Sequence, residues 1–387
     1  MSWSEGVVFA VGALIALTTL LAAIHTVVVP RAERSLLIRF VYVGMGLLFS
    51  VLARRRKTYE SRDALLARYA PTTLMVLPFV WSVGVTYGFS LMFWALHVRP
   101  YREALVLSGS SLTTLGFRET NDLFTLILAV AEALIGLGIV ALLISFLPTL
   151  YSAFSTREAA VARLDVRAGT PPTPEAMIIL AHEIGGLEAM DDTWAQWEQW
   201  FTDIEVSHQT YPALAFFRSV RPDRSWVTAA GAVLDTAAIM LSTVNVPQSP
   251  AAAFMIRSGY VALRNVGDFV GIDYDPDPAP TAPITVRRRE FNEVYETLRR
   301  AGVPVVEDIA QAWADFAGWR VNYDTCLIGL CSLTSAPPGK WSSDRPSPYH
   351  HIPLLHRPVD RPHPPLLRQI QRWNRMRRRN DNPARRP

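Results

Sequence analysis

GVVFAVGALIALTTLLAAIHTVVV, residues 6–29, is an apolar run with no aspartate, glutamate, lysine or arginine. A helix over it reaches about 36 Å at 1.5 Å per residue, enough to cross a hydrocarbon core of ~30 Å. Pro30 is expected to end it, because proline lacks the amide a helix interior needs. A cleaved signal peptide opens on a basic segment and has a shorter apolar core; here Glu5 precedes the run. The run therefore reads as a span that stays.

Working outward, three further stretches carry the same signature. After the polar break RAERS comes Leu36–Leu52, the shortest, with Arg39 near one end, where its long stem can snorkel. Ala70–Val98 contains Trp81 and Trp94, and Leu123–Phe146 is followed by Pro148, which is expected to end it. The expected spans are thus about 6–29, 36–52, 70–98 and 123–146. Half of all residues are hydrophobic and the mean hydropathy is +0.16, with the apolar residues concentrated before residue 155. The fold class that follows is an all-α membrane protein with four transmembrane helices in residues 1–155, multi-pass in a plasma or bacterial inner membrane. The basic cluster Arg54–Lys57, with Arg62 and Arg68, belongs on the cytoplasmic side. With four spans both termini are then cytoplasmic, and Arg99, Arg102 and Arg118 are external.

Between the third and fourth spans lies YREALVLSGSSLTTLGFRETND, residues 101–122, too short and too polar to cross. Tyr101–Leu112 is expected to form a short helix that passes into Thr113-Thr114-Leu115-Gly116-Phe117 before the next span. This order of span, short helix, Thr-x-Gly-aromatic loop and span resembles the pore of the potassium channels. Thr114-Leu115-Gly116-Phe117 is similar to the core of their selectivity filter. The double threonine, the preceding Ser108-Gly109-Ser110-Ser111, and an inner helix with an early acid (Glu132) and small residues (Gly136, Gly138) are also similar. The likeness covers residues 70–157.

The resemblance implies a re-entrant pore helix and filter-like loop over 101–118, used by four identical chains around one axis. Potassium is then the permeant ion, with no other cofactor and no fixed metal. A dehydrated cation needs oxygen ligands, here the carbonyls of Thr114, Leu115, Gly116 and Phe117. Irregular backbone at membrane depth is tolerated where it lines a cavity, and glycine enters the left-handed region at little cost. Thr113, Ser110, Ser111 and Glu132 are expected to support the loop, Glu132 by bonding Ser108, Ser110 or Ser111. Gly136 and Gly138 fit either a gating hinge or close helix packing. The family pattern ends in a second glycine and usually an aspartate, where this chain has Arg118 and Glu119. Four guanidinium groups ~8 Å from an ion oppose its entry by about 2 kcal/mol in water before screening. Glu119 is expected to offset much of that.

Residues 156–335 read as a mainly helical, cytosolic domain, with expected helices at 174–188, 194–209, 212–218, 225–243, 251–270, 290–301 and 306–325. His182-Glu183 lacks the second histidine of a zinc-protease motif. Asp273, Asp275 and Asp277 are interrupted by prolines and lack the later residues of a calcium loop. Trp194, Trp197 and Trp200 are spaced for one packed helix face, and His208 reads as a surface or satisfied core residue. Cys326 and Cys331 suit neither a metal knuckle nor a disulfide framework and read as reduced core residues. No nucleophile, acid–base pair or metal cluster points to an enzyme. The net charge of +4 calls for no nucleic-acid partner.

Residues 336–387, rich in proline and arginine, read as a flexible tail able to touch anionic lipid headgroups. The expected function is a homotetrameric, potassium-channel-like cation channel. The alternative is a non-conducting membrane scaffold or sensor with a degenerate pore and a partner-binding cytosolic region.

Overall fold

A computed structural model describes residues 2–27 and 36–346, leaving aside the side chains of Leu36 and Ile38. The expected end of the first span at Pro30, the RAERS break, His350, His351 and the tail arginines from Arg372 to Arg386 lie outside the described residues. Among these, the chain is all-helical apart from one isolated bridge between Val244 and Val305. It divides into two compact units, Met1–Phe154 with Gln209–Phe217, and Ser155–His208 with Arg218–Pro387.

The first unit contains α1 (Trp3–Val27), α2 (Leu36–Arg54), α3 (Tyr59–Leu66), α4 (Tyr69–Ala95), α5 (Tyr101–Leu112) and the first part of α6 (Leu123–Ala168). Three helical stretches are long and apolar enough to cross a membrane: Trp3–Val27, Tyr59–Ala95 (of which α4 is the apolar part) and Leu123–Ala168. α1 lies against α4 through small residues. A Cβ on Gly12 would come 2.5 Å from the Gly88 carbonyl, and one on Gly88 2.8 Å from the Ala16 amide. Helices that gain nothing from excluding water associate by such close backbone approach.

Pro148 does not end α6. The helix runs on to Ala168, 46 residues in all, or about 69 Å. A mid-helix proline forfeits one amide bond, here the one to the Ile144 carbonyl, and the bonds on either side let the helix continue. Ser145 Oγ donates to Leu142 O and Thr149 Oγ1 to Ser145 O, each at 3.0 Å, in the turns next to it.

The second unit is built around α9 (Trp226–Ser242), every residue of which is buried. Around it pack α7 (Pro174–Glu183), α10 (Pro250–Val270), α12 (Ile309–Arg320) and α13 (Asp324–Thr334), with α8 (Asp191–Thr210) and α11 (Arg288–Arg300) completing the unit. Trp194, Trp197 and Trp200 share the buried face of α8. Cys326 and Cys331 are buried and form no disulfide, and burial pushes the Cys331 thiol up to about 12. At the centre, Arg320 donates to both Asp235 oxygens (2.6 and 2.5 Å) and to Asp324 Oδ1 (2.7 Å), while Tyr323 Oη donates to Asp235 Oδ1 at 2.8 Å. A buried charge is tolerated when paired in this way.

Three expected boundaries shift. The helix expected over 306–325 is two. Val306 is held outside by its amide's bond to Thr243 O (2.9 Å), Asp308 caps α12, and the chain breaks at 321–323. Buried Arg264 takes the freed Asn322 carbonyl at 2.9 Å. The helix expected to reach 188 stops at Glu183, where Gly185 turns left-handed at φ +69. The first residues of the expected tail are packed: Trp341 is buried, its carbonyl accepts from Arg320 at 2.5 Å, and Arg345 bonds Glu290 at 2.9 Å.

Candidate functional site

The site lies where α5 descends from Pro100 and turns back into α6. Glu103 occupies the first turn of α5, where the exposed amides favour a negative charge. The buried face of α5 is Ala104, Leu107, Ser108, Ser110 and Leu112. Asp122 opens α6 by accepting from the Thr125 amide (2.9 Å) and the Thr125 hydroxyl (2.8 Å).

Ser108 joins three helices. Its hydroxyl lies 2.9 Å from the Thr86 carbonyl on α4 and 2.5 Å from Glu132 Oε1 on α6. Glu132 is fully buried. Of the three serines offered to it, Ser108 makes the bond; Ser111 Oγ donates to Leu107 O at 2.8 Å. Ser110 Oγ and Glu132 Oε2 are buried with no hydrogen-bond partner among the described residues.

α5 ends in a Schellman motif. The Leu115 amide donates to Ser110 O and the Thr114 amide to Ser111 O, both at 3.0 Å. α7 ends with the same pattern, Gly186 to Ala181 and Gly185 to His182. The left-handed position is a glycine there and Thr114, at φ +58, here. A β-branched residue in that region is a genuine outlier, at a cost of about 1–2 kcal/mol. Gly116 is left-handed too, at φ +70. Thr113 Oγ1 donates to Gly109 O at 2.5 Å, and Thr114 Oγ1 to Thr113 O at 2.7 Å. Residues 113–119 are exposed, with Leu115 at 68% and Phe117 at 64%.

Arg118 pairs with Glu103, Nη2 to Oε2 at 3.1 Å, across the base of the loop. Glu119 is the neighbour expected to offset Arg118; the ion pair seen here is with Glu103, which the sequence reading does not include. The available signal was the acid's place at the start of the short helix. The two glycines of α6 separate. A Cβ on Gly136 would come 2.0 Å from the Leu112 carbonyl, whereas one on Gly138 meets nothing within 4 Å. Gly136 is therefore where the end of α5 seats on α6.

Among the described residues no group of histidine, cysteine and carboxylate side chains is arranged to hold a metal. His208 is a satisfied core residue, its Nδ1 2.9 Å from Ile204 O and its Nε2 3.4 Å from Arg157 Nη1. No protein-family model, curated protein or solved structure matches this chain.

Proposed function

We propose that this protein is a potassium-channel-like monovalent cation channel. In this reading α4, α5, the Thr113–Phe117 loop and α6 of four copies form one pore in a plasma or inner membrane. The observation that carries it is the Ser108–Glu132 bond, which fastens the short helix to the long one less than two turns before a loop of the Thr-x-Gly-aromatic type. The exposed Leu115 and Phe117 and the left-handed Thr114 and Gly116 add support. A strained residue at a loop tip is a reason to look for function there, and carbonyls left free of helix bonds are the ligands a dehydrated cation needs. Residues 101–122 face outward, the second unit is cytosolic, and potassium is the permeant ion. Purified protein in liposomes should release K⁺ faster than Na⁺, and cross-linking should stop at four chains. Absence of monovalent cation flux, or an assembly other than a tetramer, overturns the reading.

Arg118 favours a second reading, in which the pore-like unit anchors a scaffold or sensor that does not conduct. If flux arises only after Arg118→Gly, the second reading is the right one.

A further inference from the structure

Contacts between α1 and α4 step in opposite directions along the two helices. Glu5 Oε1 lies 3.2 Å from Arg99 Nη2 and 3.4 Å from His97 Nε2. Further along, Gly12 abuts Gly88 and Thr19 abuts Gly84. The helices are antiparallel. The rings of Phe9 and Phe124, 6.3 Å apart, bring the start of α6 to the same end as the start of α1. Thus α1, α4 and α6 alternate in direction, as three successive crossings do. The end of α1 and the start of α4 then share one membrane face. A chain that leaves and re-enters at one face crosses an even number of times in between, so α2 makes no single crossing.

The placement of α2 agrees. Tyr69, the first residue of α4, donates its hydroxyl to Tyr42 O at 3.1 Å, lies against Gly46, and stacks edge-on with Phe49 at 5.7 Å. About 10 Å of α2 therefore converges on the end of α4. A helix running alongside would step along its partner instead. The surface of α2 has three stripes. Val41, Tyr42, Phe49 and Ala53 are buried in the unit, and Phe40, Leu47, Leu48 and Val51 are exposed. Arg39 and Arg54 stand near its two ends on a third line that also carries Val43 and Ser50. A helix with one face packed on protein, one exposed apolar face and arginines near both ends can lie in the interface plane, its long basic stems reaching the headgroups.

We propose that the first unit crosses the membrane three times, and that α2 lies along the cytoplasmic leaflet. Its Phe40–Leu47–Leu48–Val51 face enters the acyl region, and Arg39, Arg54 and the following Arg55–Lys57 meet anionic lipid headgroups. The side is set by charge. Seven described basic residues (Arg39, Arg54, Arg55, Arg56, Lys57, Arg62, Arg68) stand between α1 and α4, against Arg99, Arg102 and Arg118 between α4 and α6. The Trp3 end of α1 is then external, which revises the four-span expectation and its cytoplasmic N-terminal end. The inference holds whether or not the pore conducts.

The test labels single cysteines with a membrane-impermeant maleimide in right-side-out and inverted vesicles, with the wild type, whose two cysteines are buried, as background. Ser2→Cys should react in right-side-out vesicles, as should the external control Glu119→Cys. Arg39→Cys and Thr58→Cys should react in inverted ones. Reaction of Ser2→Cys only in inverted vesicles, or of Arg39→Cys from outside, overturns the proposal. Quenching by spin-labelled lipids of a fluorophore placed at residue 40, 47 or 51 gives an independent reading. Equal shallow depths are expected, while a steady change of roughly 16 Å from 40 to 51, the rise of a crossing helix, refutes the interfacial placement.

Discussion

The Ser108 hydroxyl stands 2.5 Å from Glu132 Oε1 and 2.9 Å from the Thr86 carbonyl, so one side chain fastens α4, α5 and α6 together. Removing one partner of a buried polar pair costs about 1–3 kcal/mol, because the other keeps its desolvation penalty. Ser108→Ala and Glu132→Leu should each lower the detergent-solubilised melting temperature. The double variant should lose less than the sum, with a coupling of about 1 kcal/mol. Full additivity in thermal unfolding refutes the latch. Glu132→Gln, which keeps hydrogen-bonding capacity, should retain more cation flux than Glu132→Leu.

Gly136 and Gly138 differ by two positions and should differ sharply in tolerance. Gly136→Ala forces the end of α5 away from α6, and overpacking of this kind costs typically 1–3 kcal/mol. Gly138→Ala meets nothing in its own chain and should be neutral, or stabilising by up to about 1 kcal/mol through helix propensity. Melting curves of the two variants check this. Equal destabilisation would remove Gly136 as the seat of the short helix.

The Arg118–Glu103 pair is half-exposed, so its worth to stability is small, about 0–1 kcal/mol. Its effect belongs in ion flux. Glu103→Gln leaves Arg118 unneutralised and should reduce cation flux, most strongly at low ionic strength, where screening is weakest. Arg118→Gln should raise flux under the same conditions. Salt-independent effects of both variants contradict an electrostatic role.

His208 links stability to pH. Burial and the neighbouring Arg157 guanidinium depress its imidazole from 6.5 to about 3. The unfolded chain binds a proton below 6.5 that the folded chain refuses until about 3. Stability from this residue is therefore complete above 6.5 and falls as pH drops through that window, by at most about 1.4 kcal/mol per pH unit. Urea titrations of the wild type and His208→Gln between pH 7 and pH 4 should converge as the pH falls. Parallel curves would mean that His208 titrates normally.

Much of the helical order was legible because apolar runs and caps are local signals. The apolar runs at 6–29, 70–98 and 123–146 correspond to α1, α4 and α6, and Tyr101–Leu112 is a helix as expected. Ser108 was among the hydroxyls expected near Glu132. Other features were not legible because their cause is distant in sequence. Nothing local says that Pro148 sits in a helix that continues, that Arg264 takes the carbonyl freed at Asn322, or that Trp341 returns to cover Arg320. The Glu103–Arg118 pair was not legible either, because its partners are 15 residues apart and meet only once the chain has turned back on α5.

The sequence by itself determined that this is a helical protein with membrane-length apolar segments and a short polar helix and Thr-x-Gly-Phe loop between two of them. Hydrocarbon thickness and backbone hydrogen bonding demand long apolar helices, and composition reports those directly. The tertiary structure decided how the segments pair and in what direction. It set α1 antiparallel to α4, gathered Tyr42, Gly46 and Phe49 of α2 onto Tyr69, and chose Ser108 for Glu132. Those outcomes depend on which small residues let two backbones approach and which buried polar groups find partners. That complementarity exists only once the helices have met.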